Sequence, residues 1–526
     1  MKRIILFVTI IGFTLSAQSQ DWPLKTKVQQ QKQSQVPFKT VSAFSFRGSK
    51  QLSTRGRYDE LEVNKLVLQE LLSERPMAIQ FKVPGGSREE LTCELIKTDL
   101  GNVKVTENRT RSVTDIRTPL CYRGVIAGEK EKNNVLLTLN EDYFSFNANL
   151  GDRFIQLGKV DEDESHLFRL YNSKEVEFPA SDFQCGTNKE PSAMAKAAMY
   201  NTTAAPLAPQ DKCIYVFVEC FDSLYQWRNR SIQQTIDYVY ALYNNVATGF
   251  LNEQLNVKIS TINVWTTSDP YRGDTRENAL ADLAGYYQDD FWGNICVGLD
   301  YSIGQSPGRS GIAGDIGRVK GEEPFSCPAY TVSDHPFCYN DLDYNVNVQN
   351  FPTGANVTQQ QVYLVMHEMG HLFGSSHTHW CGWLISTNPN TFGALDNCAA
   401  VEGTCAAGPA PPASGGTIMS YCVGTGQFVN FNNGFGTLPG NAIRSFIDNN
   451  NCIANCPSCP STVNVGNIAT GVTHFEVSNT IFANGLVPSG SYATFDAGVR
   501  VTLSPGFRAN GGARLKIVID GCGGIR

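Results

Sequence analysis

The chain lacks the means to hold nucleic acid or to cross a bilayer with a helix. Acidic residues outnumber basic ones, 50 to 43, the formal charge is −7 at pH 7 and the pI is near 5.6. No dense Lys/Arg block occurs anywhere, which argues against a phosphate backbone as the main partner. Long apolar runs are missing apart from Ile4 to Leu15, and that stretch is shorter than the roughly 18 to 20 residues of a spanning helix. Met1-Lys2-Arg3 precedes it and Ser16-Ala17-Gln18-Ser19 follows. This charged, apolar, small-residue order is that of a secretory signal, so residues 1–19 are expected to be removed on export. Histidine is scarce as well, with 7 in 526 residues, yet His367, His371, His377 and His379 fall in one short segment.

What is present suits a multidomain globular protein: 41% of residues are hydrophobic and 18% charged, in a chain long enough for several cores. Sixteen cysteines behind an export signal belong in an oxidising compartment, where most are expected to pair. Cys93 and Cys121 could bridge near the N-terminus, and Cys452, Cys456 and Cys459 are expected in disulfides rather than in a second metal site. Connectivity is not readable from sequence.

Three segments follow the signal. Residues 20–205 begin with short β-type runs separated by charged turns, such as Met77–Val83 and Val135–Leu139, which predict a separate β-rich domain to about Ser181. From Thr187 to Lys212 the composition shifts to Ala, Pro, Ser, Thr and Asn, predicting an exposed, protease-accessible linker. Residues 206–458 open with a strand at Cys213–Cys220, a helix from about Ser231 to Glu253 and a second strand from Val257 to Trp265, an order that suggests an α/β crossover and a sheet covered by helices. Residues 459–526 are short β-branched runs between Asn-Gly, Ser-Gly and Gly-Gly turns, which predict a small stacked β module with little sign of repetition.

The chemistry concentrates in the second segment. Thr358 and Gln361 form a capping box, and Val362, Val365, Met366, Met369, Leu372 and Phe373 recur at helical spacing until Gly374, predicting a helix from Gln359 to Phe373. His367 and His371, four apart, project from one face, a geometry that lets two nitrogens bind one ion. Gly374 can take the left-handed conformation that ends a helix and returns His377 towards the same ion. Three imidazoles leave one tetrahedral position open, the mark of a catalytic rather than a structural zinc. Glu368, next to the ligands, is placed to act as general base. His379 reads as a surface residue or as support for the ligands. Trp380 and Trp383 read as either packing or a substrate platform.

The run His367-Glu368-Met369-Gly370-His371-Leu372-Phe373-Gly374-Ser375-Ser376-His377 resembles the long zinc signature of the metzincin metalloproteases. Thr417-Ile418-Met419-Ser420-Tyr421 resembles their methionine turn, with Met419 under the metal. Within that group the likeness is to the reprolysin or adamalysin type, including its bacterial relatives. Cys121–Gly128 with Val135–Thr138 is similar to part of the reprolysin propeptide, and residues 213 to 455 to the protease domain. Two departures stand out: Thr378 occupies the place usually held by Asp, and the Met-Ser-Tyr order is more like astacins and serralysins.

The resemblance implies a secreted zinc endopeptidase made as a zymogen, with a twisted mixed sheet and a zinc-binding helix, acting on proteins or peptides and inhibited by its own propeptide. Cys185, in Phe183-Gln184-Cys185-Gly186-Thr187, resembles a cysteine switch that fills the fourth zinc position, although a disulfide half is the competing reading. Tyr421 would be a further ligand or an oxyanion donor, or simply a buried tyrosine bonded to backbone. Calcium is possible but unsupported, since Asp341 to Asn347 fits no defined loop. The alternative from another class is a catalytically weak surface adhesion protein on the same fold.

Overall fold

The computed structural model describes residues 22–519 except 34–36, 53–55, 86–89, 152, 160–165, 177–182, 188, 201–211, 273, 302–309, 323–335, 343–356, 388, 423–428 and 457–459. The expected signal sequence, the later part of the expected linker, most of Asp341 to Asn347, and Cys459 therefore lie outside the described residues.

Cys213–Cys220 is a nearly continuous apolar run, and it forms a strand buried along almost its whole length, as strands covered on both faces must be. It pairs in parallel with Asn256–Val264 on one side and with Ile295–Asp300 on the other. Phe337–Asp341 continues the sheet in parallel, and the short strand Ser310–Ala313 adds to it antiparallel. The crossover helix spans Ile232–Asn252, and Ser231 Oγ caps it by accepting the Gln234 amide. Almost all of this helix from Thr235 onward is buried, because it lies between two sheets.

Its polar residues face the N-terminal region. Asn244 Oδ1 accepts from Arg123 Nε at 2.9 Å, Asn244 Nδ2 donates to the Tyr122 carbonyl at 3.2 Å, and Asp237 Oδ1 accepts from Asn140 Nδ2 at 2.9 Å. A buried amide or carboxylate is tolerated in a helix when such partners replace water.

The N-terminal region builds its own ten-stranded sheet between Lys39 and Val176, but it is not self-contained. The hairpin Lys104–Glu107 with Arg111–Ser112 leaves that sheet and pairs in parallel with Asn256–Val264. It thereby covers an edge strand whose unpaired N–H and C=O groups would otherwise face solvent. Leu100, Val105, Tyr143 and Phe183 likewise belong to the core of the second segment. Gln184–Cys185 adds at the far edge, parallel to Ser310–Ala313.

Part of the expected linker is ordered. Ala193–Tyr200 is a helix with Ala195, Ala198 and Met199 buried, and it packs on the helix Thr437–Asp448. Alanine's high helix propensity and small size permit this close docking, with Met199 the one large side chain buried on that face. In the tail, Thr462–Val465, Thr480–Ala483 and Arg500–Leu503 stack in parallel, as do Val472–Val477, Tyr492–Ala497 and Arg514–Val518. Repetition is thus plain in the coil geometry although faint in the sequence, because only inward residues such as Val465, Ile481, Ala493 and Phe495 are constrained.

The cysteines depart from expectation. Three disulfides join Cys213 to Cys456, Cys381 to Cys405 and Cys398 to Cys422, and Cys452 is also bonded. Yet Cys93, Cys121, Cys220, Cys296 and Cys338 are free and buried in strands. There they act as small apolar side chains, so the suggested Cys93–Cys121 bridge is absent. Among the described residues, no helix is long and apolar enough to cross a membrane.

Glu219 is fully buried in the Cys213–Cys220 strand, accepting from Trp265 Nε1, from Tyr271 Oη at 2.7 Å and from Tyr287 Oη at 2.9 Å. Burial outweighs those donors and pushes its carboxyl up from 4.5 to about 7. A raised folded-state value means that the native chain holds this proton more tightly than the unfolded chain does. Stability is therefore lost as pH rises from about 4.5 to about 7, by about 3 kcal/mol at most. Glu219→Gln is expected to flatten that part of the pH profile in urea unfolding between pH 5 and 8; an unchanged slope would remove Glu219 from this role.

Candidate metal centre

The site is built on the helix Gln359–Leu372. Thr358 Oγ1 accepts the Gln361 amide at 3.3 Å and Gln361 Oε1 accepts the Thr358 amide at 2.9 Å, so the capping box is reciprocal. Every residue from Gln361 to Leu372 is buried. Gly374 follows with φ of +96°, and a Cβ there would lie 3.0 Å from the Phe446 ring, so both backbone and packing call for glycine. The reversal it permits returns His377 to the helix.

His367, His371 and His377 are all essentially unexposed. Each presents Nε2 to a common point because Nδ1 is engaged elsewhere: His367 with the Ile418 carbonyl, His371 with the Ser375 carbonyl and His377 with Glu402 Oε1, each at 2.7 Å. All three acceptors are oxygens, so Nδ1 carries the proton and Nε2 the lone pair. His371 Nε2 and His377 Nε2 then face each other at 3.1 Å, and His367 Nε2 has no partner. Burial holds all three imidazoles below their usual range, so a proton is a poor bridge between those lone pairs. A cation with affinity for nitrogen suits this donor set. With Cys185 Sγ, the four ligand atoms lie within 4.8 Å of one another, a nitrogen and sulfur set that fits zinc.

Glu368 is completely buried. Its Oε2 accepts from Cys185 Sγ at 3.4 Å and from Thr187 Oγ1 at 3.5 Å, while Oε1 has no partner. Burial raises its carboxyl to about 8, against the lowering effect of those hydrogen bonds and Arg276. Cys185 Sγ is 3.5 Å from His371 Nε2, and the cysteine forms no disulfide. Burial and the adjacent Glu368 push its thiol up, whereas a dication beside a coordinating thiol deprotonates it outright. Tyr421 Oη donates to the Cys185 carbonyl at 3.2 Å, accepts the Cys185 amide at 3.1 Å and lies 3.3 Å from His377 Nε2. The Phe183 ring packs edge-on against His367, Tyr363 and Tyr421.

Met419 is buried beneath the helix, and a Cβ on Gly370 would lie 2.7 Å from its sulfur. Thr378, where the resembled family has Asp, ties the two segments together: its amide and Oγ1 both donate to the Met419 carbonyl, at 3.1 and 3.3 Å.

Several roles are decided only by the tertiary arrangement. His379 is buried rather than superficial, and its Nε2 donates to Glu402 Oε1 at 3.2 Å. Burial works against the charge of Glu402, yet the hydrogen bonds from His377 and His379 hold its carboxyl below the usual range. Glu402 had no sequence signal, since nothing about its spacing relates it to a histidine. Trp383 is fully buried and donates from Nε1 to the His377 carbonyl at 2.8 Å. It is therefore packing that fixes the ligand loop, not a platform for substrate.

Residues 214–432 match the family Reprolysin_5, described as metallo-peptidase family M12. Among solved structures, the crystal structure of metalloproteinase-II from Bacteroides fragilis is similar at a TM-score of 0.32 and 12% identity, covering 59% of this chain and 85% of that chain. Among curated proteins, none matches the chain.

Proposed function

We propose that this chain, which carries a zinc metallopeptidase domain of family M12 over residues 214–432, is the latent precursor of a secreted endopeptidase in which His367, His371 and His377 hold the metal and Glu368 is the general base. The observation that carries this reading is the meeting of three buried, neutral imidazole nitrogens beside a carboxylate oxygen that has no other partner. Zinc held by these three nitrogens would supply Lewis acidity, bringing the pKa of a bound water down towards about 7 and polarising a peptide carbonyl.

The remaining work falls to side chains. Glu368 Oε1 is free to take a proton from the attacking water and to pass it to the leaving amine, so one carboxylate serves both halves of the hydrolysis. Tyr421 Oη, once parted from the Cys185 backbone, is placed to donate to the oxygen that gains charge. An extended peptide can add to the edge Ser310–Ala313 by main-chain hydrogen bonds, at the place that Gln184–Cys185 takes in the precursor. Latency follows from that occupation, because Cys185, Phe183 and the strand contact exclude water and substrate together. Secretion is supported by the N-terminal signal pattern and by the disulfides, which belong to oxidising compartments.

The test is cleavage of a peptide library by protein freed of residues 20–205. Activity should fall to background when a chelator strips the metal and return when zinc is added back. Undiminished cleavage by demonstrably metal-free protein would defeat the proposal.

A further inference from the structure

Two of the three imidazoles are oriented by backbone carbonyls, Ile418 for His367 and Ser375 for His371, whereas His377 is oriented by a carboxylate. We propose that Glu402 is a positioning residue for His377, setting its tautomer, its ring plane and thereby the grip on the metal, and that the loop closed by the Cys381–Cys405 disulfide holds Glu402 in place. The inference rests on the ligand reading above.

Glu402 Oε1 accepts from His377 Nδ1 at 2.7 Å and from His379 Nε2 at 3.2 Å. The two rings stack 4.9 Å apart and within 7° of parallel, so a single oxygen reaches the edges of both. The stacked His379 ring limits tilting of His377 on one face. The carboxylate is itself anchored through the main chain. The Glu402 amide donates to the His379 carbonyl at 3.0 Å and the Cys381 amide to the Glu402 carbonyl at 2.9 Å, in a parallel bridge between Trp380 and Glu402. Cys381 lies on one side of that bridge and its disulfide partner Cys405 just beyond the other. Position is therefore set at the backbone on both sides of the carboxylate, and the two hydrogen bonds to Oε1 hold its side chain against the ring edges.

A carboxylate acceptor does more than a carbonyl in that place. Its hydrogen bond to Nδ1–H is charge-assisted, it raises the basicity of the opposite nitrogen, and removal of such a partner typically weakens metal binding by 10- to 100-fold. No substrate or reacting atom need touch Glu402 for it to matter.

The experiment compares full-length Glu402→Gln, Glu402→Asp and His377→Ala with the parent, by zinc competition against a chromophoric chelator and by the visible spectrum of the cobalt-loaded proteins. Glu402→Gln is expected to bind zinc roughly 10- to 100-fold more weakly and to shift the cobalt bands, with Glu402→Asp recovering part of the loss and His377→Ala losing more than either. Parent-like affinity and spectrum in Glu402→Gln, together with loss in His377→Ala, would overturn the role of Glu402 alone. Parent-like affinity in both would overturn the ligand reading beneath it. Should Glu402→Gln not fold, Glu402→Asp carries the test, and parent-like zinc binding and cobalt bands there would overturn the role.

Discussion

Glu368→Gln is expected to lower kcat/KM of the activated enzyme by roughly 10² to 10⁴-fold, the usual contribution of a positioned acid–base group, while zinc content stays at the parental level. The reason lies in the division of labour around the site. The side chain lies over Gly311, whose added Cβ would come within 2.4 Å of Glu368 Cγ, and Glu368 is not one of the residues whose ligand atoms converge with the three imidazole nitrogens. Gln fills the same space and keeps one carbonyl oxygen, but it cannot accept a proton. Activity within tenfold of the parent, or loss of zinc along with activity, would remove Glu368 from the role of base.

Cys185→Ser should wake the intact precursor without cleavage of the chain. Three contacts cover the site in this structure: the thiol beside His371 and Glu368, the Phe183 ring against His367 and Tyr421, and the strand bond from the Gly186 amide to the Gly311 carbonyl at 3.0 Å. Each 1.4 kcal/mol removed from closure raises the open fraction about tenfold, and losing a metal–thiolate bond is expected to exceed that figure. Residual blocking by Phe183 predicts only partial release, with Cys185→Ser/Phe183→Ala more active than Cys185→Ser. Peptide cleavage by uncleaved precursor, verified by mass, is the measurement. A Cys185→Ser precursor as silent as the parent would show that the thiol does not maintain latency.

The helix under the site was legible in sequence because each of its signals is local. The capping box spans Thr358 to Gln361, the apolar spacing spans about three turns, and the glycine stop at Gly374 needs only its own positive φ. The strand Cys213–Cys220 and the helix beginning after Ser231 were readable for the same reason. The Lys104–Ser112 hairpin was not, since a strand carries no mark of the sheet it joins. Its exposed Lys104 suits an edge in either sheet. Nor could cysteine counting separate Cys381 and Cys405, which pair, from Cys220, Cys296 and Cys338, which do not, because pairing depends on Cα separation and direction rather than on number.

The amino-acid order alone marked the candidate ligands: His367 and His371 on one helical face with Glu368 next to them, a turn-forming Gly374, and His377 just beyond it. Helical periodicity and glycine stereochemistry dictate that arrangement wherever the segment folds. Only the tertiary structure decided how the donors are oriented and screened. The Ile418 carbonyl, Glu402, the Met419 turn and the Phe183–Cys185 strap come from parts of the chain far apart in sequence. Their meeting is set by which sheet edges and helix faces bury one another, a property of global packing that no short-range pattern encodes.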